Sequence, residues 1–180
     1  MTMTTTRLYL DVDGKVSPIG TGPPQDSGWA AWGSGRAFGF DVIWATGLIA
    51  ELNSITARHD VQPVWLTSWE TYVASDLAPV TGLNAGDWPV LKVRGRNPDH
   101  GSVKLQALLE DVEQQNRVGN HVDRIVWLDD MCDNDDEWEE DHEPRPDLTV
   151  ILGIPVLRLR PLLKIGLTPD HMTQVRDFIS

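Results

Sequence analysis

Short apolar runs alternate along this chain with stretches of helical periodicity, and that alternation limits the possible folds more than any other feature. "RLYLDV" (7–12), "PVWLTS" (63–68), a shorter "PVLKV" (89–93) and "RIVWLDD" (124–130) are brief and rich in Val, Leu, Ile and Trp. Runs of that kind suit strands buried on both faces, as in a parallel sheet covered by helices. Between them, residues 44–58 place Leu48, Ile49, Leu52 and Ile55 at helical spacing. A second helix opens near Gly101–Ser102 with Val103, Leu105, Leu108, Leu109 and Val112 on its buried side, and residues 69–79 predict a shorter one. "VILGIPVLRLRP" (150–161) reads as a fifth strand, and a closing helix starts with Thr168 as N-cap and Pro169 at its first position. The expectation is an α/β fold with a mainly parallel sheet and right-handed crossovers.

One segment breaks the alternation. Residues 19–41 are rich in Gly, Pro and Ser, and "GWAAWGSGRAFGFDV" predicts a two-stranded excursion turning at "GSGR". The 180 residues suit a single domain, 1–180, with a genuine core. No apolar run reaches the roughly 20 residues that span a bilayer, so no membrane role is expected. The start lacks the basic and apolar regions of a secretory signal, and the single cysteine, Cys132, fits a reducing cytoplasm. A net charge of −12 disfavours a general binder of nucleic acid or anionic lipid. Ten of the 27 acids lie between Asp129 and Glu143, however, so the acidity is local, in a loop at about 131–147.

In a parallel α/β sheet, functional residues gather at the carboxyl ends of the strands. Those ends carry Asp11 and Asp13, then Thr67 and Ser68, then Asp129 and Asp130, and Lys104 stands in the first turn of the helix after the third run. Asp11 and Asp13, two apart, point the same way from a strand and repel. Such a pair is either a solvated turn or a site where a cation, or a division of labour between acid and nucleophile, offsets the repulsion. Carboxylates suit a hard cation such as Mg²⁺, an ammonium and a hydroxyl can hold phosphoryl oxygens, and an Asp can attack phosphorus.

"LDVDG", "LTS", the lysine of "GSVKLQALL" and "WLDDM" resemble, in order, the four motifs of the haloacid dehalogenase (HAD) superfamily, over residues 7–131. The tail "VLRLRP…GLTPDHMTQVRDF" and the Trp-rich middle further resemble the HAD domains of Swiss Army Knife RNA-repair proteins. The resemblance implies a Rossmann-like three-layer α/β/α sandwich whose flap is the excursion at 19–41; the insertion before the second run, mostly flap and helix, and residues 69–103, barely one helix, a loop and a strand, leave no room for a large cap domain. It also implies a Mg²⁺-dependent phosphohydrolase with an aspartyl-phosphate intermediate. On it, Asp11 is the nucleophile and Asp13 the acid/base, with the Asp11 carboxylate and the Asp13 backbone carbonyl on Mg²⁺. Thr67 holds the phosphoryl group ahead of Ser68, Lys104 neutralises charge, and Asp129 and Asp130 complete the metal site, either being the direct ligand. A phosphorylated substrate follows, and an open site with the narrower resemblance points to a nucleotide or polynucleotide end.

There is one departure: the position after "DVDG", usually small, apolar or Thr in that superfamily, is Lys15. Facing the site, its ammonium competes with Mg²⁺ for the carboxylates; facing outward, it changes nothing. That departure and the acidic loop support a second reading, a catalytically impaired module binding a phosphorylated ligand or a protein partner. Arg94, Arg96 and His100 either touch the remote part of a substrate or form a plain surface loop. The eight Trp residues are core by default, with Trp29, Trp32 and Trp69 placed to stack on a base. The acids from Asp133 to Glu143 lack ligand spacing and read as a solvated loop.

Overall fold

The structure, a computed structural model, describes residues 4–93, 100–129 and 147–180. Its centre is a parallel sheet of four strands: β1 (Thr6–Leu10), β4 (Val61–Trp65), β5 (Arg124–Leu128) and β6 (Val156–Leu159), in the order β4-β1-β5-β6. A separate antiparallel hairpin, β2 (Trp32–Ala37) and β3 (Phe40–Ala45), follows β1. The helices are α1 (Thr46–Thr56), α2 (Ala78–Thr81), α3 (His100–Arg117), α4 (Leu148–Leu152) and α5 (Pro169–Ile179). Among the described residues no helix is long and apolar enough to cross a membrane.

Side-chain alternation along the strands builds two cores. Leu8, Leu10, Trp65, Val126 and Leu128 pack on one face with Leu48, Leu52 and Ile55 of α1 and Met172, Val175 and Ile179 of α5. Tyr9, Val64, Ile125 and Trp127 pack on the other with Leu108 and Val112 of α3 and Leu148 of α4. The layering is therefore helix, sheet, helix, compatible with a Rossmann-like arrangement. Pro63 is tolerated within β4 because that strand is at the sheet's edge, where a missing N–H breaks no ladder.

Four expectations need correction. "PVLKV" is not a strand: it touches the sheet only through a bridge between Trp65 and Val90, with Trp65 N–H on the Pro89 carbonyl at 2.8 Å. The first half of "VILGIPVLRLRP" belongs to α4, because Asp147 caps it by accepting from Thr149 N–H at 2.9 Å and Gly153, at φ 66°, ends it. A short apolar run alone does not separate buried strand from buried helix. The hairpin reverses at Phe38 and Gly39 (φ 50° and 81°), a two-residue turn, while "GSGR" lies inside β2. There the Trp44 indole packs so closely that a Cβ on Gly33 would meet it at 2.5 Å. Finally, the helix expected at 69–79 is a π-helical turn, Val73–Leu77, running into α2. Pro79 has no N–H to give the Ser75 carbonyl, consistent with the wider turn.

Candidate active site

Register brings the predicted carboxylates together. Leu10 pairs with Leu128 on one side and Trp65 on the other, so the residues that follow leave the sheet side by side. Asp11 N–H bonds to the Leu128 carbonyl, Asp129 N–H to the Leu159 carbonyl and Leu66 N–H to the Leu10 carbonyl. Asp11, Thr67 and Asp129 thus stand at one carboxyl rim, all buried, whereas Ser68 is exposed. Lys104, early in α3, reaches into the same place. Its Nζ lies 2.9 Å from Asp11 Oδ2 and 2.8 Å from Asp129 Oδ2.

The turn after β1 is set by its glycine. Gly14 has φ 70°, and a Cβ there would lie 2.8 Å from the Leu163 backbone, so both conformation and space require Gly. The turn projects Asp13 over the rim, where Trp69 Nε1 donates to its Oδ2 at 3.0 Å. Thr67 Oγ1 in turn accepts from Trp69 N–H at 3.3 Å. A cleft of about 330 Å³ opens on Asp13, lined also by Ser17, Pro18, Phe40, Asp41 and Trp69. A larger cleft of about 450 Å³ runs past Arg7, Asn53 and Trp88, but its one arginine is already spent on Asp111.

Burial governs the ionisation here. Desolvation pushes the Asp13 carboxyl up, helped by the Asp11 charge and opposed by the Trp69 hydrogen bond and the two lysines. Desolvation likewise raises Asp129, to about 6, with the Asp11 charge adding and Lys104 opposing. For Lys104, burial alone would lower the pKa, but the charges of Asp11 and Asp129 outweigh it and the ammonium is held above its ordinary range.

Lys15 faces inward. It is wholly buried, its Nζ donates to the Asp13 carbonyl at 2.6 Å, and it lies 3.7 Å from Asp11 Oδ2. The Asp13 carbonyl and the Asp11 carboxylate, which the resemblance turns toward Mg²⁺, therefore already face an ammonium, and Asp129 Oδ2 accepts from Lys104. As arranged, the described residues do not fit a divalent cation at this point, because it would be pressed against a buried like charge.

Other predicted residues fall elsewhere. Asp130, Arg94, Arg96 and the acidic run through 146 lie outside the described residues, and His100 begins α3. The three tryptophans expected to stack on a base are otherwise engaged: Trp69 is buried on Asp13, and Trp29 packs on Gly47 and donates to the Leu167 carbonyl at 2.7 Å. Trp32 is partly buried against the core. Sequence reasoning missed three exposed rings, Phe40, which lines the cleft, and its neighbours Phe38 and Tyr72. Phe38 stacks on Tyr72 at 3.9 Å, and Phe38 and Phe40 lie 6.0 and 6.1 Å from Trp69. Phe40 is 59% exposed. The signal for the two phenylalanines was a pair of aromatics flanking a glycine in "AFGF"; Tyr72 left none. Compared with known proteins, the chain matches no family model, no curated protein and no solved structure.

Proposed function

We propose that this chain is a phosphohydrolase that passes through an aspartyl-phosphate on Asp11. The observation that carries this reading is the Asp11–Lys104–Asp129 bridge, 2.9 and 2.8 Å on its two sides, at the carboxyl rim of a parallel sheet, with Asp13 of the same turn lining a cleft. A solvated turn does not bury two carboxylates around one ammonium, since breaking such an arrangement is costly and making it yields little stability. The order of the motifs, which resembles the HAD superfamily, supports the same chemistry.

On this reading a phosphate monoester enters over Asp13. An Asp11 carboxylate oxygen attacks phosphorus, the bond to the leaving oxygen breaks, and Asp13 gives that oxygen its proton. Asp13, now a carboxylate, takes a proton from water as the water attacks phosphorus and the Asp11–phosphorus bond breaks. Its raised pKa suits the first step, because the acid stays protonated beyond the ordinary carboxylate range. Lys104 neutralises phosphoryl charge and Thr67 donates its hydroxyl. The substrate class that fits the cleft is a phosphate ester with a planar leaving group, including a nucleotide or a nucleic-acid end. Stacking a base on Phe40 contributes roughly 1–3 kcal/mol.

The contact between Lys15 and the Asp13 carbonyl favours a second reading, a module that binds a phosphorylated ligand without turning it over. A panel of aryl phosphates, nucleotides and terminally phosphorylated oligonucleotides, with and without Mg²⁺, separates the two. Hydrolysis by the wild type and its loss in Asp11→Asn is the expected result. Wild-type-like turnover in Asp11→Asn sinks the nucleophile, and phosphate binding without any turnover establishes the second reading.

A further inference from the structure

We propose that Lys15 supplies, as a fixed ammonium, the positive charge that a divalent cation would bring to Asp11 and Asp13, so that this site works without Mg²⁺. The catalytic half of this inference rests on the phosphohydrolase reading; the exclusion of the cation does not.

Geometry carries it. Asp11 and Lys15 are four residues apart across a turn in which Lys15, Val16 and Ser17 all give their N–H groups to the Val12 carbonyl. The Lys15 backbone is also gripped from outside. Leu167 N–H bonds to its carbonyl at 3.2 Å, and Gly166, at φ 78°, approaches so closely that a Cβ would lie 3.0 Å from that oxygen. Clamped between the β1 turn and the segment before α5, the residue sends its side chain into the protein, where none of it is exposed.

A buried ammonium is held only where acceptors surround it. Here the Asp13 carbonyl lies at 2.6 Å and Asp11 Oδ2 at 3.7 Å from the charge. These are one carbonyl and one carboxylate, the oxygen types that hold a hard cation. The charge reaches further, since it also acts on the carboxyls of Asp13 and Asp129. Lys104 approaches the same Asp11 oxygen at 2.9 Å. Asp11 thus faces two ammoniums, and a phosphoryl group transferred to it would be met by both. A divalent ion entering would have to displace a wholly buried side chain while its backbone stays clamped.

The test joins turnover to a readout that needs none. Wild type, Lys15→Thr and Lys15→Met are compared in excess chelator and in a Mg²⁺ titration, following hydrolysis of the best phosphate ester and the thermal midpoint. Wild-type turnover should be unchanged by chelator and its midpoint unmoved by Mg²⁺. Lys15→Thr should lose about 10²-fold or more of its chelator-resistant turnover. It should also gain a Mg²⁺-dependent rise in midpoint, as binding to the native state alone requires. Lys15→Met, which keeps the length of the side chain, should lose turnover without gaining the full response, and it serves if Lys15→Thr does not fold. Chelator-sensitive turnover restored by Mg²⁺, or a wild-type midpoint raised by Mg²⁺, overturns the inference and leaves the phosphohydrolase standing. A Mg²⁺ response absent from Lys15→Thr as well removes Lys15 as the cause and also overturns it. If the wild type hydrolyses nothing under any condition, the functional reading fails, and the two midpoint titrations still decide whether Lys15 excludes the cation.

Discussion

Asp13 stands between two influences of opposite sign, and its behaviour tests the mechanism at the scale of one proton. Desolvation raises its pKa and the Trp69 indole lowers it. A general acid must hold its proton, so kcat/KM should fall as pH rises through that pKa, above the ordinary carboxylate range. Asp13→Asn should abolish this alkaline limb and slow hydrolysis by about 10² to 10⁴-fold, least for esters with good leaving groups. Trp69→Phe keeps an aromatic ring but removes the donor 3.0 Å from Oδ2. Since that hydrogen bond favours the charged form, its loss should move the limb to higher pH while a folded, active protein remains. A limb that shifts downward, or stays fixed, removes Asp13 as its source. The measurement is the pH profile of kcat/KM for the three proteins.

The hairpin serves both core and site: Val42 and Trp44 are buried in the core, while its turn lies toward the cleft. Its turn places a phenylalanine, Phe38, at φ 50°, where bulky residues are rarely found. Stacking on Tyr72 at 3.9 Å and a hydrogen bond from its N–H to Asp76 at 3.2 Å hold it there. Arg36 is bound to the Gly39 carbonyl at 3.2–3.3 Å, stiffening the same turn. The result presents Phe40 over the cleft beside Asp13. Phe40→Ala should therefore raise KM for nucleotide and oligonucleotide phosphates by about 5- to 160-fold, the loss of one stacking contact. Turnover of a small alkyl phosphate should scarcely change. Equal effects on both substrate classes would show that Phe40 only shapes the hairpin.

Across the molecule, the site depends on how α3 lies on the sheet. Lys104 and Asp111 are two helical turns apart on one face of α3. Asp111 receives the Arg7 guanidinium through two bonds of 2.9 and 3.0 Å, and the Tyr9 hydroxyl at 2.8 Å. Arg7 also donates to Gln62 on β4, so one buried network joins α3, β1 and β4. Burial and then the Asp111 charge hold the Tyr9 phenol well above its usual range, so it stays a donor. Asp111→Ala would strand a buried guanidinium, and a loss of about 3–5 kcal/mol is expected, read as a lowered urea midpoint. An unchanged midpoint would mean that the network contributes nothing to docking α3.

The alternation of apolar runs with helical periodicity was enough to foretell a parallel α/β sheet, because strands buried on both faces leave a pattern that needs no partner to be seen. The same holds for the placing of Asp11, Asp13, Thr67, Asp129 and Lys104, since strand ends are legible and topology alone brings them to one rim. The capping box of α5 was local too, Thr168 and His171 being three apart. Other features were decided elsewhere. The apolar residues 148–152 became helix through a cap and a glycine at its two ends, and residues 89–93 stayed a bridge at the sheet's edge. Trp69 serves Asp13 from 56 positions along the chain, and no local pattern announces that pairing. Lys15 is the sharpest case. Its identity was plain in the sequence, but its direction was not, because that was set by Leu167 and Gly166, which close on its carbonyl from the far end of the chain. Local periodicity encodes which surface a residue can bury; which charge then meets which depends on contacts that only the folded chain makes.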